Sequence, residues 1–262
     1  MENPDSQDKR EATQTNVSRD AEAWAPPVTR LSVNEVPDGA RNLNVDGRLL
    51  SGPMEGFGQL WRRTYRTLIP ATSEQSITPA QVAALWKQKL PDLMPTNNHF
   101  YPSLSGVKPG ELVLINASMP IIPGGMPVAT GVLVLYADNV SFTVITPEGH
   151  PESGFNTFSA FEENGHVYAQ VESLARTTDL IYEIGYSLFN YAKTHDAIWC
   201  AVLTNLAAQF GAPGKVDITK ELVDSKRQWS RIGNIWQNAV IRTVIYSLLG
   251  PLRWLRQLFE TA

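Results

Sequence analysis

The feature that most restricts this chain is the shortness of the gaps between its β-rich runs. ELVLINASM (111–119), ATGVLVLYAD (129–138), SFTVITP (141–147), FNTFSAFE (155–162) and HVYAQVESLAR (166–176) are dense in β-branched and aromatic residues, and turn-forming stretches such as PGGMP, ADN, PEGHPESG and EENG separate them. A parallel connection needs a dozen or more residues, whereas these lengths and residue types suit hairpins. The five runs therefore read as antiparallel strands in succession. Before them, Leu60, Arg62, Thr64 and Arg66 alternate with Trp61, Arg63, Tyr65 and Thr67, which adds another strand. Glycines 52, 56 and 58 loosen its start.

Two helices complete the pattern. In SITPAQVAALWKQKLP, Thr78 can cap, Pro79 suits the first helical position, Val82, Leu85, Trp86 and Leu90 share a stripe, and Pro91 is expected to end the helix. Residues 179–211 follow the last strand directly. Asp179 can cap this segment, Gly211 and Pro213 can stop it, and Leu188, Ala192, Trp199, Val202, Leu206 and Phe210 recur at helical spacings, so one long amphipathic helix is expected. A sheet with one apolar face must be covered, and this is the element long enough to do it. The expected fold is α+β of helix-grip type: a twisted antiparallel sheet wrapped around a long helix over residues 46–212, plus a helical C-terminal extension over 213–262.

Residues 1–45 are polar and hold one aromatic, Trp24, too little apolar surface to offset ordering entropy, so a disordered or loosely attached arm is expected. The whole chain of 262 residues is 43% hydrophobic with a net charge of −4. Its basic part is the tail, where residues 213–262 hold eight Lys or Arg against four Asp or Glu. That distribution speaks against a nucleic-acid partner, which needs a broad basic face. Cys200 is the single cysteine, so neither an internal disulfide nor a thiolate metal cage can form. The opening residues lack a secretory apolar core, and a cytoplasmic location is expected. No phosphate-binding, zinc-protease or serine-hydrolase motif occurs, and His99, His150, His166 and His195 show no paired metal spacing. Neither a metal nor a cofactor is expected.

The order of elements from about residue 56 to 211 resembles the superfamily of START domains, birch-pollen-type allergens and polyketide cyclases. Within it, Gly149, His150, Pro151, Glu152 and Gly154, then Phe158 and an Arg176 just before the final helix, are similar to an uncharacterised bacterial-type family with a GHPExG motif. Where that family carries Ser-Arg-Pro at the last strand's end, this chain reads Ala175, Arg176, Thr177. The resemblance implies a cavity between sheet and long helix that holds an apolar, lipid-like or polycyclic small molecule, for binding, transport or sequestration.

Several residues are candidates for work in such a cavity. His150 can pin a turn, or can pair with Glu148 or Glu152 as an acid/base couple. His195 falls on the stripe of Leu188, Ala192 and Trp199, either as a satisfied core group or as the polar contact that orients a ligand. Val167, Ala169, Val171, Ser173 and Ala175 alternate on one face of the last strand, and such small residues leave room for a cavity or let a helix approach closely. The candidate ligand-binding set is Tyr136, Ala169, Ser173, Leu188, His195 and Trp199. Three function classes stay open: a binder, a cyclase- or hydrolase-type enzyme with His150 or His195 as base and Tyr136 as proton donor, and an interaction module with a filled core.

In the tail, Ile232, Ile235, Trp236, Ala239, Val240, Val244 and Leu248 form one stripe, and Asn234, Gln237, Asn238 and Arg242 interrupt the opposite side, so no membrane-spanning run is expected. Trp229, Trp236, Arg253 and Trp254 suit a peripheral membrane contact, with docking on this domain or on a twin subunit as the alternative.

Overall fold

The computed structural model describes residues 21–70, 76–119, 125–188, 191–211 and 213–250. Nine strands form one antiparallel sheet: β1 (Leu50–Ser51), β2 (Leu60–Leu68), β3 (Asn98–Pro102), β4 (Leu112–Met119), β5 (Met126–Ala137), β6 (Ser141–Pro147), β7 (Glu152–Glu163), β8 (His166–Thr177) and β9 (Val216–Asp224). The order across the sheet is β3-β4-β5-β6-β7-β8-β2-β9, with β1 paired to the end of β6. Strands β3 to β8 are thus a meander, as the short gaps require. Helices α1 (Pro79–Leu93), α2 (Leu180–Leu188) and α3 (Tyr191–Ala208) accompany it, and α4 (Ala239–Leu248) follows a 3-10 segment, Trp229–Gln237.

One sheet face and the helices α1 and α3 bury the main core, which includes Tyr65, Trp86, Phe142, Phe158, Trp199 and Leu203. Each lies where strand or helix period puts it, and together they make the helix-grip α+β arrangement. Val167, Ala169, Val171, Ser173 and Ala175 are all buried. On the other sheet face Leu31 and Val45 pack against Leu114, Leu133 and Ile145. The segment between residues 21 and 50 is also tied by backbone bonds, Ala25 N–H to the Leu135 carbonyl and Leu31 N–H to the Arg48 carbonyl, both at 2.8 Å.

Three local expectations need correcting. Thr78 caps α1 with a complete capping box with Gln81, but the helix runs through Pro91 to Leu93. The segment 179–211 holds two described helices, and Leu188 at the end of α2 is 72% exposed rather than on the buried stripe of α3. The tail begins with a strand: β9 pairs antiparallel with β2. Its stripe is also split. Asn238 caps α4 by accepting from the Ile241 N–H, and Ala239, Val240 and Thr243 are buried, while Trp236 and Leu248 are 84% and 73% exposed. Arg253 and Trp254 lie outside the described residues. No described helix is long and apolar enough to cross a membrane.

Candidate functional site

The GHPExG stretch is built by several independent contacts. Gly149 adopts φ +84°, and a Cβ there would run into the Gln237 carbonyl, so the close approach of the tail demands glycine. The Gly149 carbonyl accepts from Ala239 N–H at 2.9 Å and from the Tyr182 hydroxyl at 3.3 Å. The Pro151 carbonyl accepts from Thr178 N–H, where β8 turns towards α2. Glu148 faces away from His150, accepting from Leu49 N–H and the Gln237 amide.

His150 Nδ1 lies 3.1 Å from the Glu152 amide nitrogen and 3.0 Å from the Glu152 carbonyl oxygen. A buried N–H is orphaned more rarely than a carbonyl, so Nδ1 supplies its lone pair to the N–H and the ring proton sits on Nε2. Burial pushes this imidazole down to about 4, against the pull of Glu152, so it is neutral at physiological pH. His150 is then a loop pin whose Nδ1 lone pair is engaged by the Glu152 N–H.

The Glu152 side chain points inward, to a buried ionic cluster. Its Oε1 accepts from Arg63 at 3.2 Å and from the Tyr186 hydroxyl at 2.5 Å, and its Oε2 lies 3.2 Å from His195 Nε2. Burial alone would raise this carboxyl, but His195, Arg63 and Tyr186 overcome it and hold Glu152 well below the usual carboxylate range. The Arg63 guanidinium also stacks 5.3 Å above the Tyr186 ring.

His195 extends the cluster to the sheet edge. Tyr65 donates its hydroxyl proton to Asp196 Oδ1 at 2.8 Å, so its oxygen is left to accept from His195 Nδ1 at 3.2 Å. Asp196 is paired in turn with Lys220 of β9. Nε2 meets both the Glu152 carboxylate and the Trp199 indole N–H, the latter at 3.1 Å. With a proton it donates to Glu152; without one it accepts from Trp199. Either way both ring nitrogens are turned to protein.

Beside this cluster, α3 and strands β3 to β7 enclose an apolar cavity in which about 100 Å³ is open to the centre of a water molecule. Val113, Val132, Val144, Phe142, Phe158 and Trp199 line it, with Phe142 and Phe158 stacked at 4.5 Å. His150, Glu152 and His195 border one part of it. Thr130 and Asn156 also line it, and both are buried with a side-chain oxygen that has no hydrogen-bond partner among the described residues.

Of the residues singled out by sequence, His150, His195 and Trp199 come together at the cavity. Ala169 and Ser173 are buried in the sheet but do not line it, and Leu188 is exposed. The Tyr136 hydroxyl donates to Asp138 at 2.7 Å, and its ring meets Trp24 edge-on, away from the cavity lining. Trp229 and Trp236 are 66% and 84% exposed. Arg63, Tyr186, Thr130 and Asn156 were not anticipated. Arg63 carried a signal: it shares a strand face with Trp61 and Tyr65, and a charge on the buried face of a strand needs a buried partner. Among the described residues no group of three His, Cys, Asp or Glu side chains is placed to hold a metal ion.

No family model matches the chain, and no curated protein does. Solved structures are similar in part of their layout. Protein Ms6760 from Mycobacterium smegmatis shares 14% identity at a TM-score of 0.39, over 56% of this chain and 89% of that one. Ginseng major latex-like protein 151 from Panax ginseng shares 13% at 0.40, over 58% and 99%. The di-domain ARO/CYC StfQ from the steffimycin biosynthetic pathway shares 9% at 0.40, over 57% and 50%.

Proposed function

We propose that this chain binds a small, largely apolar molecule in the cavity between the sheet and α3, as a carrier or sequestering protein. The observation that carries the reading is the cavity itself. Protein interiors leave few voids larger than a water molecule, and one walled by valines and aromatic rings gains dispersion contacts only when filled. About 10–15 Å³ of such space holds one water, and an apolar cavity of about 150 Å³ takes up benzene. A single ring or a short branched chain suits the cavity as it stands, and a larger lipid-like or polycyclic ligand needs its walls to part. Membership of the GHPExG family belongs to the same proposal and rests on Gly149, His150, Pro151, Glu152 and Gly154.

Toluene is the test probe. It should raise the unfolding free energy with the logarithm of its concentration, by about 2.7 kcal/mol at a hundred times its dissociation constant. Val132→Phe, which fills the cavity, should abolish the effect. Absence of toluene binding to the unmodified protein, or equal binding by the filled variant, would remove the reading. A cyclase- or hydrolase-type activity in the same cavity has less support, since both ring nitrogens of His195 are engaged and His150 offers a proton rather than a lone pair.

Exposed Trp229, Ile232 and Trp236, near Arg231, support a contact with a membrane surface. Point variants test it cleanly, because removing the tail would also remove β9. Flotation with anionic vesicles should drop in the Trp229→Ser/Trp236→Ser double variant. Equal flotation of both proteins, or a concentration-dependent dimer that the same substitutions dissolve, would replace the membrane by another occupant.

A further inference from the structure

The Glu152 carboxylate is full, but the guanidinium opposite it is half used. Arg63 gives Nη1 to Glu152, and its Nε and Nη2 have no hydrogen-bond partner among the described residues. Arg63 is 6% exposed, yet neither of these nitrogens is sealed: both keep accessible surface. That surface opens away from the cavity. Arg63 does not line the cavity; it lines a separate cleft of about 210 Å³ between the inner face of β2 and β9 and the helices α2 and α3. Register sets the floor of this cleft. Trp61 lies opposite Leu222 and Arg63 opposite Lys220, so two cations stand side by side next to a half-buried indole. The Arg63 guanidinium lies 5.9 Å from the centroid of the Trp61 ring and 5.3 Å from that of Tyr186, another residue of the cleft. The nearby acids are already answered: Glu183 accepts from Arg227 and the Thr177 hydroxyl, and Asp196 from Tyr65 and Lys220.

We propose that this cleft is a second binding site, for a small carboxylate with a planar apolar body. Nε and Nη2 form one edge of the guanidinium, and their parallel N–H donors match the two oxygens of a carboxylate. Lys220 brings a further ammonium proton from across the strand pair, and the Trp61 ring gives a planar body a surface to stack on. Like charges directly opposite each other in a sheet repel, so an anion between Arg63 and Lys220 removes a standing cost. The bond to Glu152 and the contact with the Tyr186 ring already fix the guanidinium, which keeps the ordering cost of binding low. A cationic ligand meets two like charges in the cleft, and a neutral one forgoes the charge-assisted fork. The site is separate from the cavity and does not depend on what the cavity binds.

The probes are benzoate, benzyl alcohol and inorganic phosphate, titrated calorimetrically at neutral pH and low ionic strength. Benzoate should bind tighter than benzyl alcohol, which has the ring without the anion, by about tenfold. Lys220→Gln, at the sheet edge, should weaken benzoate about fivefold, the worth of a partly exposed ion pair, and leave toluene binding as it is. Arg63→Lys, which keeps a charge for Glu152 but loses the fork, should remove most of the benzoate affinity. Val132→Phe, which fills the cavity, should leave benzoate binding unchanged. Absence of benzoate binding, equal affinity for benzoate and benzyl alcohol, tighter binding of phosphate than of benzoate, or an affinity unmoved by Lys220→Gln would overturn the assignment. Loss of benzoate binding in Val132→Phe would overturn it too, by placing the anion in the cavity. Failure of toluene alone removes the cavity reading and leaves the cleft standing. The probe comparison needs no substitution, so it decides the matter even where Arg63→Lys does not fold.

Discussion

The two polar regions on the inner sheet face follow opposite rules. Around Glu152, four side chains from β2, β7, α2 and α3 pair with one another, whereas Thr130 and Asn156 stand among apolar neighbours with oxygens unanswered. Paired charge is costly to break. Unsaturated neutral oxygen is cheap to remove. The difference separates polar groups that hold the fold from polar groups that cost it stability.

The largest effect should come from Glu152→Ala, which leaves Arg63 charged and unpaired in the core. A loss of about 3–5 kcal/mol is expected, read by denaturant unfolding. Arg63→Met/Glu152→Leu, which removes both charges, should recover most of it; a double variant as unstable as the single one would mean that the cluster is held by something other than charge pairing. Tyr186→Phe comes next, at about 1.5–3 kcal/mol for one hydrogen bond to a charged group, and a loss below about 0.5 kcal/mol would take Tyr186 out of the cluster.

Acid should then act in two stages. His150 is lowered from 6.5 to about 4 in the fold, so the unfolded chain takes up its proton first and stability is lost as pH falls between those values. Glu152 is depressed in the fold, so the stability it brings is present above its unfolded value of 4.5 and is lost as pH falls below it. A gentle decline below pH 6.5 and a steeper one below 4.5 are expected in unfolding midpoints. His150→Asn should abolish the first and spare the second. The smallest effect belongs to Thr130→Val, which deletes an unanswered hydroxyl and should leave stability unchanged or raise it by about 1 kcal/mol. A clear loss there would show that the hydroxyl is satisfied by water.

Much of the fold was legible in the sequence because hairpin turns and strand composition are local. Runs β4 to β8 and the capping of α1 by Thr78 follow from neighbours in the chain. β9 was not read: Val216, Ile218 and Leu222 alternate with polar residues, but Lys220 interrupts them, seven of the nine residues are exposed, and the strand is held by pairing with β2. The stretch between residues 21 and 45 likewise has few apolar residues, and Leu31 and Val45 find their partners on strands far along the chain. At the site, helical period alone put His195 and Trp199 on the buried stripe. Glu152 was read as a partner for the His150 ring beside it, whereas its side chain turns to His195 and Arg63, which no local pattern connects. Asn156 and Thr130 look like ordinary strand residues, and no local pattern marks their oxygens as unpartnered.

The place of β2 in the sheet has a consequence for how this chain is made. Its two neighbours are β8 and β9, so the nearest residue it pairs with, Tyr168 opposite Leu68, is synthesised roughly a hundred residues later. At ribosomal rates of about 5–20 residues per second, β2 waits on the order of 5–20 seconds with both backbone edges open. Over that interval Arg62, Arg63 and Arg66 give it three positive charges in five residues, which repel a second nascent copy lying alongside. The arginine that later becomes the buried partner of Glu152 thus also belongs to the group that keeps the strand single until its own sheet arrives.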